Sequence, residues 1–172
     1  MRLAATGVRV YLPSTLSGLR QLVADGAVYG SPLTAFAVTP GLRDWYQDDD
    51  IEELEYAATM EAARSSLRAL DDDPAVPRRR VVLAADVQDS SVTIRDDRDR
   101  GVVEIGIPVT LDRIAAAHVD DPEAEGIIAA AVAAVLAADL GDPDAQDRVD
   151  DAEGLGLSWY ASQELPILIE MI

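Results

Sequence analysis

Residues 77–87 read PRRRVVLAADV. Three arginines lead straight into Val81–Val87, whose only polar member is Asp86. A run that is apolar at consecutive positions has no solvated face, so this segment predicts a buried strand at the centre of a sheet. Such a strand needs neighbours on each side and helices to cover it.

The neighbours are legible in both directions. Upstream, Val8, Val10 and Leu12 alternate with Arg9 and Tyr11, the pattern of a half-buried strand ended by Pro13. Ser14 or Thr15 then caps a helix with Leu16, Leu19, Leu22 and Val23 on one face, and Gly26 suits its end. Leu33–Val38 reads as a second strand, and Thr39 with Pro40 opens a short helix carrying Leu42, Trp45 and Tyr46. Asp50 caps a helix from Ile51 to about Leu70, on which Tyr56, Met60, Ala63, Leu67 and Leu70 form a predicted buried stripe. Downstream, Val92 with Ile94 and Val103 with Ile105 flank a polar loop, the mark of a hairpin. Ala115–Val119 follows as a short strand. Asp121 and Pro122 open an Ala-rich helix that ends near Leu140. A short helix is expected around Val149, a last strand over 155–160, and a final segment packed by Leu165, Ile167, Leu168 and Met171. The order of elements predicts an α+β (mixed α/β) fold, with a single mixed sheet of about five to seven strands covered by helices. Residues 1–7 are expected to be a flexible start and 8–172 one globular domain.

The chain has 172 residues, 32 acidic and 14 basic, for a net charge of −18; every basic residue is Arg, and Lys and Asn are absent. Lys and Asn codons are AT-rich, so a GC-rich genome accounts for part of this bias. So large a negative charge keeps a protein in solution and repels nucleic acid and anionic membrane. Adaptation to high salt and a DNA-mimicking surface are further readings of the acidity. There is no cysteine, which excludes disulfides, thiol nucleophiles and Cys-ligated metals. The longest apolar run, Ile127–Ala138, is far short of the ~20 residues a bilayer requires. A cytoplasmic protein is expected.

Charge is also segregated. Residues 78–100 hold six Arg and five acids, a net of +1, which leaves −19 for the rest. Arg78, Arg79 and Arg80 therefore stand out as a contact for an anionic partner, or as internal partners for the chain's own carboxylates. Asp48–Glu55 carries six carboxylates in eight residues without the spacing of a calcium loop, so helix capping explains it best. Trp45–Tyr46 and Trp159–Tyr160 are either contact surfaces or rings divided between core and rim. His118 is the only histidine. With Asp120, Asp121, Trp159 and Glu164 it defines an alternative pocket for a small ligand or a hydrolytic reaction. There is no Gly-rich phosphate loop, GxSxG elbow or HExxH motif, so no cofactor, metal or catalytic residue is assigned.

The strings VRVYLPSTLSGLRQL (8–22), AFAVTPGLRDWY (35–46), IEELEYAA (51–58), PRRRVVLAADV (77–87), AAHVDDPEAE (116–125) and LSWYASQELP (157–166) resemble a family of small acidic actinobacterial proteins without assigned activity. The resemblance spans nearly all of the chain after residue 7. It implies one intracellular domain and brings no catalytic residues with it. The leading expectation is a non-enzymatic regulatory protein whose partner is another protein, contacted through Arg78, Arg79, Arg80, Trp45 and Tyr46. Direct nucleic-acid or membrane binding is not expected, and the oligomeric state is left open.

Overall fold

A computed structural model describes residues 7–172. The central element is β4, Val81–Gln88, which pairs along its length with β1, Gly7–Ser14, on one side and with β8, Ile114–Val119, on the other. Val81 to Ala85 are all buried, as an uninterrupted apolar run requires. The remaining strands are β3 (Leu33–Phe36), β5 (Val92–Ile94), β6 (Val102–Ile105) and β9 (Ser158–Ala161), and the order across the sheet is β5-β6-β3-β1-β4-β8-β9. The fold is α+β, and each pairing in this seven-stranded sheet is antiparallel. A mixed sheet was expected from the early and late alternation of strand and helix; those helices return the chain to antiparallel positions. A separate two-residue ladder joins β2 (Ala27–Val28) to β7 (Val109–Thr110). The loose start predicted for residues 1–7 falls, for 1–6, outside the described residues, while Gly7 already pairs with Gln88.

Alternation along the strands separates two apolar clusters. Val10, Leu12, Leu83, Ala85 and Ile105 face one side, covered by α1 (Leu16–Asp25), α4 (Glu125–Asp139), α5 (Pro143–Glu153) and α6 (Leu165–Glu170). Tyr11, Phe36, Val82, Ala84 and Ala116 face the other side, covered only by α2 (Pro40–Tyr46) and α3 (Ile51–Asp71). Seven strands span roughly 29 Å at about 4.8 Å per step, whereas one helix is about 10 Å across. On this second face α3 lies over β3, β1 and β4, and α2 closes over Phe36 and Val102. β8 and β9 run out beyond the helix.

The predicted stripe on α3 is corrected at its N-terminal half. Ala63, Leu67 and Leu70 are buried, but Tyr56 is 61 % exposed and Met60 is half-buried. The inward positions there are Leu54, Ala57, Ala58 and Ala62. Small side chains let the helix approach the sheet closely, which turns the large apolar residues outward. Ser66 fixes the height of the helix: its hydroxyl donates to the Ser14 carbonyl at 2.7 Å and accepts from the Val81 amide at 3.2 Å.

The arginine triplet is also corrected as a contact surface. Arg80 is fully buried against a fully buried Asp120. Its backbone N–H, Nε and Nη2 donate to that carboxylate at 2.7, 2.8 and 2.9 Å, and Nη2 also donates to the Leu155 carbonyl. Arg79 is buried too, with Nε donating to the Asp120 carbonyl, and Arg78 donates to the Leu70 and Asp73 carbonyls. All three guanidiniums thus bond acceptors of this same chain: Arg79 and Arg80 tie the start of β4 to the end of β8 and to the segment before β9, and Arg78 ties it to the end of α3 and the turn that follows.

A buried pair that loses one partner strands the other charge, which costs about 3–5 kcal/mol. Arg80→Met and Asp120→Leu are each expected to destabilise by that amount in urea titrations followed by circular dichroism. The double variant, with no charge left inside, is expected to recover most of the loss.

Candidate functional site

The uncovered part of the second face leaves a hollow between α3 and β9, and further hollows continue along the outer side of α3 to make a groove. Three hollows of about 420, 380 and 300 Å³ share Met60 as a common wall. Tyr46 and Tyr56 divide the small central hollow from the larger ones at its two ends.

At one end the floor is Ala84 and Ala116, where small side chains leave depth, and the walls are Tyr11, Tyr56, Leu157 and Trp159. His118 and Trp159 are direct partners in the β8–β9 register. The Ala161 N–H donates to Glu164 Oε1, away from β8. His118 and Trp159 have the same parity as this residue, so theirs is a non-hydrogen-bonded pair, in which side chains stand closest. Tyr11 donates its hydroxyl to Glu55 Oε2 at 3.0 Å. Burial, reinforced by this bond and by the Glu55 charge, pushes the phenol up to about 12. Arg9 is neutralised by Asp86 through Nε and Nη2 at 2.7 and 2.9 Å. Burial, with the Arg9 charge added, holds the His118 imidazole below its ordinary value. No side-chain hydrogen bond engages that imidazole among the described residues.

At the other end α3 contributes Glu61, Arg64 and Arg68, α4 contributes Asp139, α5 contributes Glu153, and the β5–β6 loop contributes Asp99 and Arg100. Asp139 takes Arg68 at 2.8 Å and Arg64 at 3.1 Å. Arg100 is less well served. Its guanidinium lies 4.0 Å from the centre of the Trp45 ring, its nearest carboxylates, Glu61 and Asp99, are each 3.7 Å away, and its Nε is buried without a partner. Burial raises the Glu61 carboxyl above its usual value against the pull of Arg100, and burial does the same to Glu153 against Arg64.

One carboxylate locks this end together. Asp96 accepts from the Thr39 hydroxyl at 2.6 Å, from the Gly41 amide at 2.9 Å and from the Gly101 amide at 3.0 Å. Burial opposes its charge, but the three donors together hold its pKa below the carboxylate norm. The bonds join the start of α2, which carries Trp45 and Tyr46, to the loop that carries Arg100. A Cβ at position 41 would lie 2.6 Å from the Asp96 carboxyl, so only glycine admits the contact. Gly101 takes a left-handed φ of +85°, which glycine also adopts without strain.

Of the residues singled out in the sequence, Trp45, Tyr46, His118 and Trp159 come to this groove. Asp120, Asp121 and Glu164 do not join His118. Asp120 is buried on Arg80, Asp121 accepts from the Ser158 hydroxyl, and Glu164 caps the Ala161 amide, because each satisfies a local donor. Tyr11, Glu55, Tyr56, Met60 and Arg100 were missed. The exposed face of α3 was the available signal: Glu53, Tyr56, Met60 and Arg64 fall at spacings of three and four. Among the described residues no group of three His, Cys, Asp or Glu side chains is placed to hold a metal ion, and no helix is long and apolar enough to cross a membrane.

The chain belongs to a family of unknown function, DUF6912, which it matches over residues 8–169. No curated protein and no solved structure matches it.

A single histidine makes its titration readable without assignment. His118 is expected to titrate below 6.5 by two-dimensional ¹H–¹³C NMR, and Arg9→Gln to raise that value part of the way back. Because the unfolded chain takes up this proton first, the term costs stability as pH falls from about 6.5 through the folded pKa. A measured value at or above 6.5 contradicts the buried, Arg9-facing placement.

Proposed function

We propose that the protein is a non-catalytic binding module that captures a basic, extended segment of another protein along the α3 groove. One observation carries this reading. The chain has only eight aromatic residues, five are largely exposed, and four of those five gather here: Tyr46, Tyr56 and Trp159 line the hollows, and Trp45 stacks on Arg100, which lines one of them. Rings of this size ordinarily fill cores, and several left out together on one surface mark an interaction site.

The charge supports the choice of partner. Seven carboxylates line the groove against four arginines, Arg9, Arg64, Arg68 and Arg100, on a chain of net charge −18. The field of so many carboxylates speeds the approach of a cation and repels polyanions. The Trp45 ring already carries a guanidinium, that of Arg100. Cation–π contacts contribute only about 0.5–1 kcal/mol each at exposed sites, so measurable affinity needs several rings acting together, which an extended segment supplies. A DNA-mimicking surface rests on the charge alone and gains nothing from the groove.

A second reading, a pocket for a small ligand, is favoured by the end around His118, Tyr11 and Glu55, where polar groups converge over an apolar floor. It uses only one end of the groove and leaves Trp45 and Tyr46 without a role.

The test is fluorescence anisotropy with a fluorescein-labelled twelve-residue peptide of alternating Arg and Gly. Binding is expected to persist at physiological salt, where the screening length is about 8 Å. Met60→Arg, which fills the middle of the groove with charge from a half-exposed position, is expected to weaken it at least tenfold. Equal binding by wild type and variant, abolished by salt alone, would reduce the interaction to diffuse attraction and overturn the proposal.

A further inference from the structure

We infer that the hollow between α3 and β9 is a cage for an organic cation, the guanidinium or ammonium head of a basic side chain, formed by the Trp159 and Tyr56 rings with the Glu55 carboxylate, which the buried Tyr11 hydroxyl holds in place. This rests on the reading of the groove as a site for a basic segment, and it names where that segment is anchored.

The geometry supplies each requirement of such a site. Two exposed rings, Tyr56 and Trp159, line one hollow of about 380 Å³, with the buried Tyr11 beneath them. Tyr56 and Trp159, on opposite walls, remain about three-fifths exposed, so their faces are open to a ligand. A ring face is negative and attracts a cation, most strongly when water is excluded from one side. The Ala84 and Ala116 floor is apolar, and its small side chains leave room for a flat or tetrahedral head. Glu55 is half-buried at the wall. Its Oε2 accepts from Tyr11, while Oε1 has no side-chain or backbone partner among the described residues. That free oxygen is the acceptor for the ligand's N–H.

The other charges of the hollow do not oppose this. Arg9 is matched by Asp86 through two short hydrogen bonds. His118 is kept neutral near pH 7 by burial and by Arg9, so the imidazole adds no positive charge. The one unmatched full charge lining the hollow is the Glu55 carboxylate. An anionic ligand would meet that carboxylate, and a neutral one would leave it unpaired (a free oxygen facing a ring-walled space). The opposite end of the groove shows the same pairing already made within the chain: Arg100 lies on Trp45, next to Glu61.

The experiment uses the full chain and small probes, read by NMR at the Trp159 indole N–H and the His118 ring. N-acetyl-arginine amide is expected to shift both signals saturably. N-acetyl-citrulline amide, the same shape without the charge, is expected to bind at least tenfold more weakly. Glu55→Gln keeps the acceptor for Tyr11 but removes the charge, and is expected to weaken the arginine probe at least fivefold with an unchanged melting temperature; Trp159→Leu is expected to abolish saturation. Equal binding of the arginine and citrulline probes, or no effect of Glu55→Gln, overturns the cage. A third probe separates the sources of the cation. A twelve-residue Gly-Ser peptide with one central Arg that binds at least tenfold tighter than the amide shows a side chain held within a segment. Equal affinity keeps the cage and assigns it to a free small cation, against the groove reading. Conversely, Arg-Gly peptide binding that is blocked by Met60→Arg yet indifferent to Glu55→Gln keeps the groove and removes the cage.

Discussion

The structure turns on a mismatch of widths. Four helices cover one face of a seven-stranded sheet, and a single long helix with one short companion must serve the other. α3 solves half of that problem by packing low, on alanines, over the central strands. The other half stays open over β8 and β9, and that open part is the His118 end of the groove. Tyr56 and Met60 face outward because the inward positions of the helix are taken by small residues, and His118 and Trp159 lie beyond its reach on the last two strands. The site is therefore a consequence of how the core is built, not an addition to its surface.

The arginine triplet illustrates how charge is allotted in so acidic a chain. Exposed ion pairs contribute little, with a median of about 0–1 kcal/mol. The pair of consequence is the one taken out of water, Arg80 with Asp120, whose hydrogen bonds lock the order β4-β8-β9 and hold the segment that walls the groove. Removing basic residues to the interior or into surface pairs leaves seven carboxylates against four arginines along the groove. The same allotment explains why the arginine triplet, conspicuous in the sequence, does not line it.

The fold was legible where periodicity and end signals agreed. β4 followed from a continuous apolar run, β1 from alternation, α1 from Thr15 and Gly26, and α3 from Asp50. The antiparallel order was not legible, because local pattern carries no information on which strands pair. The β2–β7 ladder is two residues long and has no period to read. Site residues were legible as types, not as neighbours. His118 and Trp159 lie 41 positions apart and meet through strand register. Asp120, two positions from His118, lies just past the end of β8, where its carboxylate turns onto the buried Arg80 and not into the groove. Tyr56 was misread as core since a helix's apolar arc can be filled by alanines, leaving a large ring outside it.

Trp159 lines one end of the groove and Trp45 stacks on Arg100, which lines the other, so intrinsic fluorescence reports on both ends without labels. The most direct test of the account is to titrate the Arg-Gly peptide into the Trp45→Phe and Trp159→Phe variants, each retaining one indole, at physiological salt. The account predicts that the emission of each remaining tryptophan changes, with midpoints that agree within about twofold, because one segment covers both ends. A change at only one of them, or at neither, would contradict a single groove occupied along its length.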